Sequence, residues 1–427
     1  MNPLSVALKG KGVLTLARRG VSLVSRYGLT AARLDGELRR LADLTEQYGC
    51  RATLPITTVV LRRHAALIRA YAARGVEFAM HGYQHVDHSQ LDEAAQTAQL
   101  GAARRVFEQA GLPLRGFRAP YLRNNAATLA VLRGLGLTYD ASPAHAWEVL
   151  DGPETPAYRH VKEFFHARSA ERYPVVPHVA DGLVRLPYSL PDDESLVERL
   201  ALTGAAPMRR LWLAILQRAY ALGELFVIGL HPERTTLCFE ALRAVLGEAR
   251  GLQPAVWIAR LDEIADWWRA RAAAVVTLTA AGEGAYRVTA SGPAGLTVLT
   301  RAVELQTEAA EWADGWRRAA GLSFELRAAR RPCLGAAPQT APALLDFLRQ
   351  QGYVVEVAAE RERYGLYLDR PSFSAEAQRP LLAEIEAAAV PLVRLGRWPA
   401  GARSALAVTG DIDALTVWDY GLRLIER

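Results

Sequence analysis

The stretch ALAVTGDIDAL (405–415) joins an apolar, strand-like run to two carboxylates near the end of a 427-residue chain. The carboxylates belong to Asp411 and Asp413, and alternate residues of a strand point to the same face, so both can enter one pocket. Two such groups repel each other unless a cation or a proton is shared between them. The pair therefore predicts a metal ligand beside a base. The structural alternative is a turn in which an aspartate caps a helix.

Residues 51–272 alternate between short β-rich runs and amphipathic helices. Seven runs have this character: ATLPIT (52–57), VEFAM (76–80), LRGFRAP (114–120), LTYDAS (137–142), GLVRLPYS (182–189), ELFVIGLH (224–231) and AVWI (255–258). Strands that alternate with helices of about ten or more residues form βαβ units and a parallel sheet. Seven such strands favour a barrel over an open sheet, and SALAVTGDID at the end of the chain resembles one more barrel strand.

The pattern changes after residue 273. There, VVTLTAAGEGAYRVTASGPAGLTVLTRAVEL alternates with glycine and turn residues and predicts antiparallel hairpins, and residues 341–369 predict a helix followed by a hairpin. We therefore predict an α/β fold, a distorted (β/α) barrel of seven or eight parallel strands with a small α+β insert before the last strand. Its predicted parts are the main barrel (1–272), an accessory region (273–400) and the final strand with the aspartate motif (401–427).

Composition limits the partners and the compartment. The chain is 51% hydrophobic and 22% charged with a net charge of +6, and it has no P-loop, zinc-finger spacing or RNP-like aromatic motif. We therefore expect no nucleic-acid partner. Cys50, Cys238 and Cys333 are too few and too far apart for a disulfide framework or a CxxC metal pair, and no run is apolar enough to span a membrane. These features predict a cytoplasmic protein.

The chain before Asp35 carries a local excess of positive charge. It contains no acidic residue and six basic ones, Lys9, Lys11, Arg18, Arg19, Arg26 and Arg33. Such a segment predicts either a basic helix on the surface of the fold or peripheral contact with an anionic membrane. We favour the surface helix, which is the commoner role of such a segment, and the membrane contact stays open.

Two histidines follow the run VEFAM in HGYQHVDH (81–88). His81 and His85 are four residues apart, so a helical turn here would place both imidazoles on one face, at a spacing suited to one divalent ion. Their position directly after a strand favours a metal site over surface histidines. His88 and Asp87 are either further ligands or, as we favour, ordinary loop residues.

Two further motifs end predicted strands. In FRAPYLR (117–123), Arg118 can hold a carboxylate by bidentate hydrogen bonds, and Pro120 can aim the Tyr121 N–H into the pocket as an oxyanion donor. In VIGLHPER (227–234), His231 ends an apolar strand, where a histidine is either structural or catalytic. The C-terminal ends of parallel barrel strands meet on one rim, so all four motifs can share one site.

Two histidines and one aspartate form a three-ligand set with open positions, as catalytic zinc requires. Such a metal polarises a carbonyl and activates water. A remaining carboxylate can take the proton from that water, and a remaining histidine can protonate the leaving amine. The inventory predicts metal-assisted amide hydrolysis.

The motif set TxDxD, HxxxH, RxPY and LH resembles the polysaccharide deacetylase family, also called the NodB homology family or carbohydrate esterase family 4. The resemblance covers roughly residues 45–272 and 398–420. It implies a hydrolase of amide bonds that uses a divalent metal, with zinc expected. Such an enzyme removes an acetyl or formyl group from the nitrogen of an amino sugar, a glycan or a lipid-linked sugar.

The resemblance also implies a role for each matching residue. The implied metal ligands are Asp413, His81 and His85; the general base is Asp411, tethered by Arg118; the general acid is His231; and the Tyr121 N–H helps to hold the oxyanion. Asp140 in YDAS matches a further aspartate of the family's motifs, and we expect it in the network around His231.

The chain departs from the family pattern in the order of its motifs. The aspartate motif usually opens the domain but here closes the chain, so we expect a circularly permuted catalytic domain. TGDID replaces the usual TFDDG, as in members that act on lipid-linked or non-polymeric sugars, and Gly82 stands where many members have Ser or Thr. Two other functions stay open: another metal-dependent amidohydrolase on the same barrel, and a catalytically silent carbohydrate- or lipid-binding protein.

Overall fold

The structure is a computed structural model, and it describes residues 26–202 and 204–422. The strands before residue 273 are β1 (Thr53–Ile56), β2 (Glu77–Met80), β3 (Gly116–Phe117), β4 (Tyr139–Asp140), β5 (Ala144–Ala146), β6 (Arg168–Ser169), β7 (His178–Ala180), β8 (Leu183–Arg185), β9 (Tyr188–Leu190), β10 (Leu225–Leu230) and β11 (Val256–Ile258). The later strands are β12 (Val275–Gly282), β13 (Ala285–Ser291), β14 (Val298–Arg301), β15 (Glu304–Leu305), β16 (Ala309–Ala313), β17 (Trp316–Ala319), β18 (Ser323–Arg327), β19 (Arg331–Ala336), β20 (Val355–Val357), β21 (Tyr364–Leu368), β22 (Leu392–Leu395) and β23 (Ser404–Gly410).

The α-helices alternate with the strands of the first part of the chain and recur near its end. They are α1 (Ala32–Gln47), α2 (Thr58–Ala73), α3 (Glu93–Ala110), α4 (Ala126–Gly134), α5 (Pro156–Phe164), α6 (Ala205–Leu222), α7 (Thr235–Gly251), α8 (Leu261–Ala272), α9 (Pro342–Gln350), α10 (Gln378–Ala387) and α11 (Val417–Leu422). Local signals set their limits. In α3, the Asp92 side chain accepts the Ala95 N–H at 2.8 Å, and Gly111 ends the helix at a φ of +65°.

One curved sheet contains strands from both ends of the chain. Its order is β10–β23–β1–β2–β3–β4–β8–β7, and β11 also pairs with β23. Within the described ranges, eight of these strands run parallel, and β7 is antiparallel to β8. The hydrogen-bonded path does not close between β10 and β7, so the sheet is a half-barrel. The predicted α/β barrel of seven or eight parallel strands is confirmed.

Strand β23 lies between β10 and β1. It pairs with β10 over six residues, from Leu225↔Ala405 to Leu230↔Gly410, and Thr409 pairs with Thr53 of β1. Every residue of β10 and β23 is buried, as expected for parallel strands that are covered on both faces. The last strand that the structure describes is therefore a central strand of the sheet.

Residues 275–395 form sheets of their own. β12, β13, β18 and β15 make one, β16, β17, β14 and β22 another, and β19 lies between β20 and β21. The hairpin predicted at the start of this region is confirmed, because β12 and β13 pair antiparallel. The hairpin predicted after α9 is wrong: β20 and β21 each pair with β19, in parallel. The division into 1–272, 273–400 and 401–427 stays a prediction.

Side chains of the barrel hold the accessory region in place. Arg271 of α8 donates hydrogen bonds to the backbone carbonyls of Gln350 and Gly396, both at 2.8 Å. The Val179 N–H of β7 donates to Gln350 Oε1 at 3.0 Å. These contacts bring the end of α9 beside the antiparallel edge of the main sheet.

No helix within residues 26–202 or 204–422 is both long enough and apolar enough to cross a membrane. Lys9, Lys11, Arg18 and Arg19 lie outside the described residues, and so does the membrane contact predicted from the basic N-terminus. Arg26 is described, and its guanidinium forms ion pairs with Glu198 and Glu233 at 3.1 and 2.5 Å.

Candidate metal and catalytic site

The two carboxylates of the final motif line one pocket of about 160 Å³. The Asp411 N–H donates to the Leu230 carbonyl at 3.0 Å, and the Ile412 N–H donates to the Pro55 carbonyl at 2.7 Å. Strands on both sides therefore hold the backbone of the motif, and Asp411 and Asp413 project from it with the alternation that the sequence predicts.

His81 follows β2 and is 2% exposed. Its Nδ1 lies 2.8 Å from the backbone carbonyl of Arg118. A carbonyl can only accept, so Nδ1–H donates this hydrogen bond and Nε2 is the nitrogen that faces the carboxylates and is available to a metal. This Nε2 lies 3.6 Å from Asp413 Oδ1 and 4.0 Å from Asp411 Oδ2. The hydrogen bond to the neighbouring strand end thus prepares His81 as a ligand.

His85 approaches the same carboxylate from the loop. Its Nε2 lies 3.5 Å from Asp413 Oδ2, and the ring centroids of His81 and His85 are 5.2 Å apart. The loop is not the helical turn that the spacing suggested, because it bends after Gly82, whose φ is +78°. This bend, instead of a helical turn, brings the two imidazoles close together.

These residues fit a divalent cation such as zinc. His81, His85 and Asp413 each offer one ligand atom, and the three atoms lie within 4.8 Å of one another. Tetrahedral coordination with bonds of about 2.0–2.1 Å separates ligand atoms by about 3.4 Å. Each histidine lies near that distance from one oxygen of the Asp413 carboxylate: His81 Nε2 is 3.6 Å from Oδ1, and His85 Nε2 is 3.5 Å from Oδ2. Two imidazole nitrogens and one carboxylate oxygen also match the donor set of catalytic zinc sites.

The loop between the histidines requires glycine at position 82. A Cβ there would lie 2.8 Å from the Gln84 carbonyl oxygen and 2.9 Å from His88 Cε1, at a φ that side chains rarely adopt. We expect Gly82→Ala to lower the free energy of unfolding by about 1–3 kcal/mol. It should also weaken metal affinity, because this loop carries both imidazoles. Thermal unfolding and metal titration measure the two effects.

Gly101 provides the matched control. It lies inside α3, and the one heavy atom within 4 Å of an added Cβ is Arg105 Nη1, at 3.9 Å. We expect Gly101→Ala to be neutral or to stabilise the protein by about 0.5–1 kcal/mol. Equal stability of the two variants would contradict the strain assigned to Gly82.

His88 and Asp87 take loop roles, which is the interpretation that we favour from the sequence. Burial lowers the pKa of His88 to about 4, and its ring packs edge-on against Phe117. Asp87 accepts the Ser89 N–H at 3.0 Å and pairs with Arg123 at 3.2 Å. Neither residue belongs to the three-residue ligand cluster.

Arg118 is fully buried and holds Asp411. Its Nη1 donates to Asp411 Oδ1 at 2.7 Å and to Thr409 Oγ1 at 3.0 Å, and its Nε donates to the Ala141 carbonyl at 3.2 Å. One guanidinium nitrogen therefore contacts the carboxylate, instead of the two predicted, because the other contacts fix Arg118 to the strand ends. Burial opposes its charge, but the Asp411 carboxylate raises the pKa of Arg118 above its ordinary value.

Tyr121 lies at the rim and lines the pocket. Its φ of 57° is in the left-handed region, which is uncommon for an aromatic residue, and the following Leu122 has a φ of 58°. The Leu122 N–H donates to the Ala119 carbonyl at 2.9 Å and closes this turn. The Tyr121 ring packs edge-on against His85, with centroids 4.5 Å apart. The oxyanion role of the Tyr121 N–H stays a prediction.

His231 ends β10 and forms a close pair with Asp193. Its Nδ1 lies 2.9 Å from Asp193 Oδ1, and its backbone N–H donates to Asp193 Oδ2 at 3.0 Å. Burial opposes both charges, but their mutual attraction prevails. It raises the pKa of His231 well above its ordinary value and lowers the pKa of Asp193 to about 2. Both shifts favour the imidazolium form of His231 paired with the Asp193 carboxylate.

Sequence reasoning misses Asp193. The residue lies in YSLPDDES (188–195), three residues after the end of β9, which belongs to a small sheet with β5 and β6. The available signal is the one used for Asp411, an acidic pair that follows a short β-rich run. The preceding Asp192 has another partner, because it accepts the Tyr188 hydroxyl hydrogen bond at 2.8 Å.

Asp140 does not take part in the hydrogen bonds of His231, and this corrects the expectation from the sequence. Its carboxylate contacts Arg185 Nε at 2.9 Å and accepts the Ser142 N–H at 3.1 Å. The Ser142 hydroxyl in turn accepts the Ala119 N–H at 2.8 Å. The residue is fully buried, so its place in the structure is beneath the loop that carries Arg118 and Tyr121 rather than inside the pocket.

The segments at both ends of the described chain also reach the pocket. Tyr27 and Tyr420 line it, with ring centroids 5.4 Å apart, and the Tyr27 hydroxyl donates to Glu233 at 3.1 Å. Glu194 and Glu198 line the wall that follows Asp193 in the chain. Sequence patterns give no signal for these residues, because their position depends on contacts between distant segments.

Residues 35–139 match the model of a family described as polysaccharide deacetylase. This match supports the resemblance of the chain to the polysaccharide deacetylase family. The matched segment contains both candidate histidine ligands and Arg118, while His231 and the two final aspartates lie outside it. No curated protein matches the chain significantly.

Solved structures that are similar to part of the chain include a probable polysaccharide deacetylase from Pseudomonas aeruginosa PAO1. It is 20% identical, with 55% of this chain and 72% of that chain covered and a TM-score of 0.43. The Puue allantoinase has the same identity, coverage and TM-score. A family 4 carbohydrate esterase from Streptomyces lividans is 21% identical, with 36% of this chain and 72% of that chain covered and a TM-score of 0.24.

Proposed function

We propose that the protein is a metal-dependent hydrolase that removes an N-acetyl or N-formyl group from an amino sugar, a glycan or a lipid-linked sugar. The observation that carries the proposal is one pocket that brings three histidines, His81, His85 and His231, together with the two carboxylates of the final motif, Asp411 and Asp413. The family match supports the carbohydrate class of substrate. His81, His85 and Asp413 would hold the ion, and zinc is the ion we expect.

A divalent cation, when bound, supplies Lewis acidity that polarises the amide carbonyl and makes water easier to deprotonate. Asp411 accepts the proton of the attacking water. Arg118 fixes the Asp411 carboxylate in position through their 2.7 Å contact, which is largely removed from solvent. The backbone N–H of Tyr121 donates to the substrate oxygen on which negative charge develops.

His231 acts as the general acid. Its Nδ1 is taken by Asp193, so Nε2–H is the group that can reach substrate. The raised pKa of His231 favours the imidazolium, and the ring gives its proton to the amide nitrogen as the C–N bond breaks. The products are a carboxylic acid and a free amino sugar.

We also propose that the catalytic domain is circularly permuted and that residues 273–400 are an insert. The support is the place of β23, the last strand of the chain, between β10 and β1. Permutation is tolerated when the original termini lie close together, because the barrel still forms as long as every strand takes its place in the sheet. The separate sheets of residues 275–395 agree with an insert between β11 and β23.

Metal content and acyl release test the function together. We expect about one divalent ion per chain, and release of acetate or formate from at least one member of a panel of N-acylated hexosamines, oligosaccharides and lipid-linked sugars. Chelation should stop the release, and added zinc should restore it. Turnover of cyclic amides or phosphate esters alone would replace this proposal with the other metal-hydrolase function. A metal-free, inactive protein that binds glycans would favour the silent binding function.

A further inference from the structure

A second cleft, of about 410 Å³, adjoins the candidate active site. Leu122 and Phe165 line both cavities, so the two are neighbours. One wall of the cleft includes β8 of the main sheet and β6 of the small sheet beside it. The other comes from α9 of the accessory region, through Asp346, Phe347 and Gln350. The cleft therefore exists because of the way this chain attaches its accessory region to the barrel.

The lining of the cleft carries an excess of positive charge. Arg168 is exposed and forms no ion pair with any residue that the structure describes. Arg185 has one nitrogen, Nε, against the buried Asp140 at 2.9 Å, and among the described residues its two Nη groups contact no acceptor. Asp346 is the one acid among the lining residues, and its side chain is 69% exposed. Two guanidinium groups thus line the cleft: that of Arg185 is paired with the buried Asp140 on one side only, and Asp346 lies 3.6 Å from Arg349 and is largely solvated.

Neighbouring side chains add shape and neutral hydrogen-bonding groups. The Arg168 guanidinium stacks over the Tyr173 ring, 5.2 Å from its centroid, which restrains its position. Burial lowers the pKa of His145 to about 3, and the charge of Arg168 adds to this effect. His166 and His178 also line the cleft. The neutral imidazole of His145 beside two arginines suits a polar ligand with a negative group.

The candidate active-site pocket is small for a complete substrate. Ligand pockets usually measure roughly 300–1,000 Å³, whereas this one measures about 160 Å³. A substrate that reacts there must extend into adjacent space, and the cleft past Leu122 and Phe165 provides such space.

We propose that this cleft binds an anionic group of the substrate, a phosphate or a carboxylate, through Arg168 and Arg185. This inference rests on the proposed function, because it places the anion on the molecule that carries the N-acyl group. Arginine suits both anions, since its planar guanidinium presents paired donors to two oxygens. The accessory region then contributes to substrate choice through the wall that it builds.

Calorimetric titration with ligands that have no acyl group tests the cleft apart from turnover. The probes are glucose 6-phosphate, glucuronate and uncharged glucose, each with the full-length protein. We expect at least one anion to bind ten times more tightly than glucose, and the tighter of the two identifies the anion. Arg168→Gln should remove most of this difference. Arg105→Gln, an exposed arginine of α3 that does not line the cleft, should not. Asp346→Asn should strengthen binding of the anions.

The two proposals fail in different ways. Equal affinity for the anions and glucose, or full anion affinity in Arg168→Gln, would overturn the inference even if the protein releases acetate from N-acyl sugars. Anion binding that depends on Arg168, in a protein that deacylates no sugar, would leave the cleft assignment standing and remove the proposed function. Weaker anion binding by Asp346→Asn would count against electrostatic recognition.

Discussion

His81→Ala and Asp413→Asn should each remove the divalent ion and lower kcat/KM at least about 10³-fold, since the Lewis acid supplies several kcal/mol of transition-state stabilisation. Each change takes one ligand from a set of three whose atoms lie within 4.8 Å of one another. The two ligands that remain cannot enclose the ion. Metal analysis of the purified variants and acyl-release kinetics measure the two losses.

His160→Ala is the control for the histidine variant. His160 is an exposed residue of α5 and is not among the lining residues of the site pocket. We expect its metal content and rate to equal those of the unchanged protein. Circular dichroism and thermal unfolding show whether His81→Ala stays folded, which matters because His81 is buried and bonded to the Arg118 carbonyl. A folded His81→Ala protein with full activity would end the metal-site proposal.

Much of the site can be predicted from the sequence because strand geometry determines it. Asp411 and Asp413 share a face through the two-residue period of a strand, which needs no knowledge of tertiary contacts. His81 and Arg118 follow β2 and β3, which are neighbours in the sheet, and the 2.8 Å contact between them joins the two strand ends. A position at the C-terminal end of a parallel strand is therefore enough to predict that these residues lie close together.

The contacts that loops make, and the choice of partner for each strand, cannot be predicted from the local sequence pattern. Asp193 follows β9 in a small separate sheet, so no local pattern relates it to His231. Asp140 does end a strand of the main sheet, but Arg185 of the adjacent β8 contacts its carboxylate. The same holds for β20 and β21, where alternation predicts strands but does not say that both pair with β19.

Asp193→Asn should lower kcat/KM at neutral pH by about 10²–10³-fold and move the alkaline limb of its pH profile to lower pH. Burial disfavours the imidazolium of His231, and the charge of Asp193 is what raises the pKa of His231 above its ordinary value. Without that charge the pKa falls. The acid form is then lost at a lower pH as the pH rises, so donation to the leaving nitrogen fails earlier. Rates measured across a pH series give the position of the limb.

The pH profile separates this effect from simple loss of structure. Asp193 also accepts a hydrogen bond from Arg234 at 3.2 Å, so its replacement is expected to lower the melting temperature as well. If Asp193 were purely structural, its replacement would lower the stability of the protein and leave the alkaline limb of the pH profile in place. Asp181→Asn, which changes an aspartate whose side chain is 80% exposed, should alter neither quantity. If Asp193→Asn keeps the limb of the unchanged protein, His231 is not the acid whose proton reaches the amine.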